Sequence, residues 1–506
     1  MDLLIALLPA IVMITLVIIT RKVLLALGIG VVLAAIIHES YHPIRAVGYL
    51  WDGLVGILTS WDWYMPIIGF VMIIGGMTAL LSLTGGIRAF ARWSVSKVKN
   101  PQSAQLMTWI LGLIIFIDDY FNALVIGEVS KPVTDEYKVS RAKLAYIIDS
   151  TSAPVVIMMP ISTWGAYIIG IMGDLFSSVD YDAHTGFSGF LAAVPYQFYP
   201  MIAISMVLAT ILFTINFGPM RDFERQSESG NDVSKSQVAE IVEAGDVEGG
   251  NATHWSLIIP VASLIILTIF FMFLAADFNP AAFMDQEITL PLFFSGLIAL
   301  AMAFGFGLMD KGVKKLSMVQ ATGKGMLEMV KSAVVILILA WMVSSSIQDL
   351  GVGEMVADII AETNLTAALL PFVLFLIAAG IAFSTGTSWG AFGILLPIAI
   401  PLAMATNPLF MPAIVASVLG GAVVGDHSSP VSDTTVLSST GAQSTLHAHF
   451  ISQLPYVLVT AGIAALGYLL FGLTEILFLS YLLMLTLLIV FVILYKKNII
   501  LEEKSD

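Results

Sequence analysis

The chain has 506 residues, of which 58% are hydrophobic and only 11% charged, against about 25% charged in an average soluble domain. A mean hydropathy of +0.94 over this length cannot be hidden in one aqueous core, which excludes a soluble enzyme, a nucleic-acid binder and a secreted scaffold and predicts an integral membrane protein. The formal net charge of −14 argues against a basic membrane-surface helix, and the absence of cysteine excludes disulfides, thiolate metal sites and thiol catalysis.

Apolar runs long enough to cross a ~30 Å hydrocarbon core, at about 20 residues each, lie near 3–20, 65–84, 143–173, 189–217, 255–276, 289–308, 332–347, 411–440, 450–472 and 475–495. A shorter run covers 23–37. The first run follows Asp2 with no basic leader and ends at Arg21 and Lys22, the reverse of a cleaved signal, so it is expected to be a retained span. Residues 38–64, with Trp51, Trp61 and Trp63, suit an interfacial segment. Two double-length stretches, 103–137 and 364–405, are interrupted by polar clusters.

Lys and Arg cluster at 21–22, 88–99, 131–143, 221–235, 311–331 and 496–504, and none lies between Lys331 and Lys496. The intervening loops are acidic: Asp174, Asp180 and Asp182, then Asp277, Asp285 and Glu287, then Asp349, Glu354, Asp358 and Glu362. Placing every basic cluster in the cytoplasm leaves Arg45 as the one exception. It requires eleven spans in a cell membrane, with the N-terminus outside and the C-terminus inside. Segment 103–137 must then enter from the cytoplasm and return, and 364–405 must do so from outside. Both read as re-entrant hairpins.

Backbone of this kind is tolerated in a bilayer only where protein or a wet cavity satisfies it, and opposed hairpins are the mark of an inverted-repeat transporter. Asp149-Ser-Thr-Ser-Ala-Pro-Val155 echoes Asp426-His-Ser-Ser-Pro-Val431, and Phe190-Leu-Ala-Ala-Val-Pro-Tyr196 echoes Phe450-Ile-Ser-Gln-Leu-Pro-Tyr456. Phe121-Asn-Ala-Leu124 echoes Trp389-Gly-Ala-Phe392 more weakly. The expected fold is an all-α polytopic membrane protein with broken helices and an inverted-topology repeat. Its parts are N-terminal spans and an interfacial segment (1–60), a first repeat (61–217), an acidic cytoplasmic linker (218–253), a second repeat (254–472), and a last span with its tail (473–506). Residues 221–250 hold eight acidic and three basic side chains and read as a solvated tether.

A carboxylate at the bilayer centre costs about 2.5–3.5 kcal/mol even on the insertion scale, and is a functional candidate by default. Asp118, Asp119 and Asn122 mark the first hairpin tip, Asp149 the broken span after it, and Asp426 and Asp433 the matching span of the second half. Hydroxyls accompany them at Ser150, Thr151 and Ser152, at Thr385, Thr387 and Ser388, and at Ser428, Ser429 and Thr434. Pro154 and Pro430 each free a backbone carbonyl one turn earlier. Carbonyls, hydroxyls and carboxylates together form hard oxygen chemistry suited to Na⁺, with Asp149 and Asp426 as the first-choice ligands. Half-helix N-termini at Thr385–Ser388 or after Asp149 can alternatively hold an organic carboxylate. Desolvation favours protonation of a buried Asp, so Na⁺ and H⁺ can compete for Asp149 or Asp426, with His427 as a proton-relay candidate. His447 and His449 are candidates for sensing pH. Ser162-Thr-Trp-Gly-Ala166 resembles Thr387-Ser-Trp-Gly-Ala391, and Trp164 and Trp389 either line the cavity or let helices approach closely.

Ile117-Asp-Asp-Tyr-Phe-Asn122, Asp149-Ser-Thr-Ser-Ala-Pro154, Gly386-Thr-Ser-Trp-Gly390 and Gly425-Asp-His-Ser-Ser-Pro-Val-Ser-Asp-Thr-Thr435 resemble, in order, motifs of the NhaC-type sodium/proton antiporter family. The resemblance covers most of residues 60–470. It implies the paired hairpins and broken helices of the ion-transporter superfamily, frequent homodimers and an elevator-like movement. It also implies Na⁺ and H⁺ as cargo and no cofactor. Similar proteins couple these ions to malate, lactate or amino acids, so a small organic solute is the alternative cargo. No protease or nucleophile motif points to an enzyme.

Overall fold

The computed structural model describes residues 3–20, 22–86, 89–90, 98–230, 232, 234, 252–280, 282–283, 286–309, 312–350, 367–430 and 432–502. All helices and no strands are found among them, as expected of a backbone that must satisfy its own polar groups in lipid. Of the expected features, the loop residues Asp285, Glu354, Asp358 and Glu362, the first residues of the second hairpin and linker residues 235–251 lie outside the described residues.

Helices α1 (Leu3–Thr20) and α2 (Val23–His38) pack on each other. Helix α3 (Pro43–Thr59) buries only Ala46 and Ile57 and leaves Ile44, Val47 and Trp51 exposed. After α4 (Tyr64–Leu83) comes the first hairpin, α5 (Pro101–Ile114) and α6 (Asp119–Glu136). Asn100 and Ser103 form a capping box that starts α5, with Pro101 in the first turn where its missing N–H costs nothing. The chain then runs through α7 (Arg141–Val156), α8 (Thr163–Ser178), α9 (Gly186–Ala193) and α10 (Phe198–Phe213), α9 and α10 being bent by 49°. A short helix, α11 (Pro219–Glu228), follows.

In the second half, α12 (Trp255–Ala275) and α13 (Thr289–Met309) pack together. Next come α14 (Lys315–Met329) and α15 (Val335–Asp349). The second hairpin is α16 (Leu370–Thr385) and α17 (Ser388–Thr406), joined through Gly386 at φ 70°, a left-handed turn that glycine adopts without a Cβ penalty. It leads to α18 (Met411–Ser428), α19 (Asp433–Ala442), α20 (Leu446–Thr474) and α21 (Leu477–Glu502).

Among the described residues eight helices are long and apolar enough to cross a membrane. The protein is a multi-pass membrane protein. Six of the eleven expected runs are among these eight helices and the other two are the arms of the second hairpin; the runs at 143–173 and 189–217 are built from pairs of shorter helices, and those at 23–37 and 332–347 are short. At the centre lie α7 and α18, buried along nearly their whole length. Helix α6 of the first hairpin packs on α19 of the second half. A Cβ on Gly127 would stand 2.3 Å from the Gly441 carbonyl carbon, so only glycine permits this approach.

Four expectations need correction in detail. The break in the first half falls at 157–162, after Pro154, so Asp149 to Ser152 sit in intact helix. One proline removes one helical hydrogen bond, and tight packing on all sides holds the turn together. In the second half the break does fall at Pro430, between α18 and α19. Run 332–347 is the later part of a longer helical path from Lys315 to Asp349, carried through a π turn at Val330–Val334. Phe190–Tyr196 ends in a 3₁₀ turn at the bend, whereas its echo Phe450–Tyr456 lies inside the continuous helix α20. Finally, the first part of the linker is not a solvated tether: α11 buries Met220, Glu224 and Ser227.

Candidate functional site

The break between α5 and α6 leaves carbonyls at the end of α5 without helical partners. Asn122 Nδ2 closes two of them, donating to Gly112 O (3.0 Å) and Ile115 O (2.6 Å). Asp118 caps α6 by accepting from Phe121 N (3.0 Å), and its other oxygen accepts from Thr163 Oγ1 (2.9 Å). Thr163 N donates to Ile117 O (2.9 Å), and Ser152 Oγ to Asp119 O (2.7 Å). The hairpin tip is thereby tied to α7 and to the start of α8.

Asp119 Oδ1 accepts from Trp164 Nε1 (2.9 Å), while its Oδ2 is buried with no hydrogen-bond donor. Its carboxylate interacts electrostatically with those of Asp118, Asp433 and Asp426. Asp426, in the last turn of α18, accepts from Ser388 Oγ (2.8 Å), from Thr434 Oγ1 (3.1 Å) and from Ser432 Oγ. Asp433 accepts from the Tyr120 hydroxyl, and its backbone N–H donates to Gly386 O (3.3 Å). Both hairpin tips and both broken spans therefore meet in one buried polar region. Its aromatic side consists of Trp164 and Trp389, with ring centroids 5.6 Å apart, and Tyr167, 4.7 Å from Trp389.

Asp149 is the centre of a neighbouring cluster. Its oxygens accept from Gln453 Nε2 (2.5 Å) and Ser438 Oγ (3.2 Å), with His449 Nε2 at 3.3 Å and His427 Nε2 at 4.0 Å. His427 Nδ1 pairs with the Tyr199 hydroxyl at 3.0 Å, and Gln453 Nε2 also donates to His427 O (3.0 Å). Asp149, His427, His449 and Gln453 are all fully buried.

The residues predicted from sequence separate into two groups. Asp119, Asn122, Asp149, Ser152, Ser388, Asp426, His427, Asp433 and Thr434 make the contacts above, and Ser150 and Ser429 are buried beside them. Thr151 and Ser428 turn back to carbonyls of their own helices, Ile147 O and Val424 O at 2.7 Å each. Thr385 Oγ1 donates to Ala382 O of its own helix and to Thr387 O in the turn (3.3 Å each), and Thr387 precedes α17 without a side-chain cap. Ser162-Thr-Trp and Thr387-Ser-Trp are both helix starts, and their tryptophans touch each other. Residues not predicted as part of the site are Tyr120, Thr163, Tyr199, Ser432, Ser438, His449 and Gln453. The available signal for the last two was a pair of polar residues four apart on an apolar helix. Among the described residues no three His, Asp or Glu side chains gather closely enough to hold a resident metal ion.

Comparison with known proteins places this geometry. The chain is 35% identical over 479 residues to an uncharacterised protein of Haemophilus influenzae, covering 92% of this chain and 90% of the relative. Its fold is similar to that of Neisseria gonorrhoeae MtrF, described as illuminating a class of antimetabolite efflux pumps, with a TM-score of 0.51, 14% identity and coverage of 85% and 84% of the two chains. The Alcanivorax borkumensis YdaH transporter matches with a TM-score of 0.51 at 13% identity, over 85% and 88%. Residues 155–473, which include Asp426, Asp433 and the Asp149 partners His449 and Gln453, match the Na⁺/H⁺ antiporter family. The chain belongs to the Na⁺/H⁺ antiporter family and is a membrane transporter, not an enzyme.

Proposed function

We propose that this protein exchanges Na⁺ for H⁺ by alternating access. The observation that carries the reading is the buried Asp119 Oδ2, which has no protein donor and lies under the influence of three further carboxylates. Such an oxygen is costly to bury unless a proton or a cation accompanies it. Na⁺ is taken at Asp119 and Asp426, with the hydroxyls of Ser388, Ser432 and Thr434 that surround Asp426. Asp149, beside His427 and His449, shares in the competition between Na⁺ and H⁺. The loaded forms cross and the empty ionised form does not, which yields exchange. The protein works as a homodimer in the cell membrane, N-terminus outside, with the two hairpins entering from opposite faces.

The test is purified protein in vesicles, with a Na⁺ gradient imposed, no organic solute present, and lumenal pH followed. A Na⁺-driven pH change is expected, and none would sink the reading. The aromatic group of Trp164, Trp389 and Tyr167 next to Asp119 favours a second reading, ion-coupled movement of a small organic solute. In that case the pH change appears only once the solute is added.

A further inference from the structure

We propose that Asp232 and Ser234, beyond α11, clasp together the starts of α7 and α20 and are positioning residues for the Asp149 cluster. This rests on Asp149 taking part in transport. A helix start leaves several backbone N–H groups open. At α7 the local cap, Ser140 Oγ, takes only Lys143 N (3.1 Å). The others are taken by residues from beyond α10: Ser140 N donates to Glu224 Oε1 (2.8 Å), Arg141 N to Asp232 Oδ2 (3.0 Å) and Ala142 N to Ser234 Oγ (3.1 Å). Two acidic side chains at the positive end of the helix dipole are favourable there.

The same Ser234 holds the second helix. Its carbonyl accepts from Thr445 N (2.8 Å) and from Ser444 Oγ (3.3 Å). Thr445 is the cap residue of α20, its Oγ1 accepting from Ala448 N (3.2 Å). Asp232 Oδ1 fixes the orientation of Ser234, accepting from its N–H (3.0 Å) and its hydroxyl (2.5 Å). One residue is thus bonded to the first turns of both helices.

Local caps would satisfy each helix separately but would not join them. The joining matters because the two helices carry opposite sides of one contact. Asp149 lies eight residues into α7, about 12 Å along its axis, and His449 and Gln453 lie in the first turns of α20. Sliding α7 against α20 by about 1 Å lengthens the Gln453–Asp149 contact, now 2.5 Å, to between about 2.7 and 3.5 Å depending on its direction, which bends and weakens it.

The experiment uses the full chain in lipid, comparing wild type with the Asp232→Ala, Ser234→Ala pair and with Asp232→Asn, which keeps an acceptor oxygen. Amide exchange at 141–145 and 445–449 and the Na⁺ dependence of exchange are measured. The pair is expected to speed amide exchange about tenfold at both helix starts together. It should also raise the Na⁺ KM about tenfold with kcat little changed, and Asp232→Asn should restore most of both. Loosening of α7 alone, or loosening of both starts with an unmoved KM, overturns the proposal. If the pair fails to fold, Asp232→Ala decides alone: it removes the acceptor of Arg141 N and of Ser234, and wild-type amide exchange and KM in that variant overturn the proposal. A wild type without any Na⁺ response refutes the transport reading instead, and amide exchange still decides whether the two helix starts are joined.

Discussion

Asp119→Asn isolates the charge on which the proposed function depends. The substitution is nearly isosteric, and the side-chain oxygen facing Trp164 keeps its 2.9 Å hydrogen bond. What disappears is the negative charge shared with Oδ2, the buried oxygen without a donor. A cation about 4 Å from a carboxylate is held by about 4 kcal/mol at an effective dielectric near 20. Relief of repulsion from Asp118, Asp426 and Asp433 returns part of this to the variant. The net loss is then about 2–3 kcal/mol, or roughly 30- to 150-fold in Na⁺ KM. The same relief means that the melting temperature should hold or rise. The assay titrates Na⁺ against lumenal pH in vesicles of matched protein content, alongside a thermal melt. A KM within about threefold of wild type would place Na⁺ elsewhere. A lost response together with a large drop in melting temperature would make Asp119 a structural residue.

Two further outcomes follow from packing and charge. Gly127→Ala should separate α6 from α19, because the Cβ would meet backbone of Gly441 that cannot yield, at a cost of about 1–3 kcal/mol in a thermal melt. Gly305→Ala, with nothing within 4 Å of its Cβ, should leave the melt unchanged and serves as control. Burial pushes the Glu224 carboxyl up from its ordinary value of 4.5, partly offset by the Lys143 ammonium and the bond from Ser140, with Glu228 adding repulsion. The folded protein therefore holds this proton more tightly than the unfolded chain. Glu224's contribution to stability is complete below pH 4.5 and is lost as pH rises through the raised value. Melts at a series of pH values should decline less steeply above 4.5 in Glu224→Gln than in wild type, and parallel curves would refute this.

The apolar runs and the polar tips between them were legible because polar groups are rare in this chain, so Asp118–Asn122, Thr385–Ser388 and Asp426–Thr435 stand out wherever they fall. What surrounds them was less legible. Gln453 and His449 meet Asp149 from some 300 residues away; His449 stands out as a candidate for sensing pH, but only a shared helical face links the two. The first break was expected at Pro154, but a fully packed helix tolerates one missing hydrogen bond, and the chain opens later. Lys315, Lys324 and Lys331 belong to a cluster expected in the cytoplasm ahead of a span, yet α14 carries the first two and the π turn after it the third, on a helical path that continues into α15. Glu224 and Asp232 read as solvated because acidic composition does not reveal which carboxylates cap helices.

The contact of Gly127 with Gly441, together with the Tyr120–Asp433 bond, means that neither half of the chain owns its pocket. Each half brings carboxylates that only the other half shelters. Expressed separately, each would expose an unfinished polar wall to lipid. Co-expressed, the two should find each other, since the faces that meet at Gly127 and Gly441 fit only one another. Any evolutionary drift at one glycine is therefore constrained by a residue more than three hundred positions away, and the halves can change only as a pair.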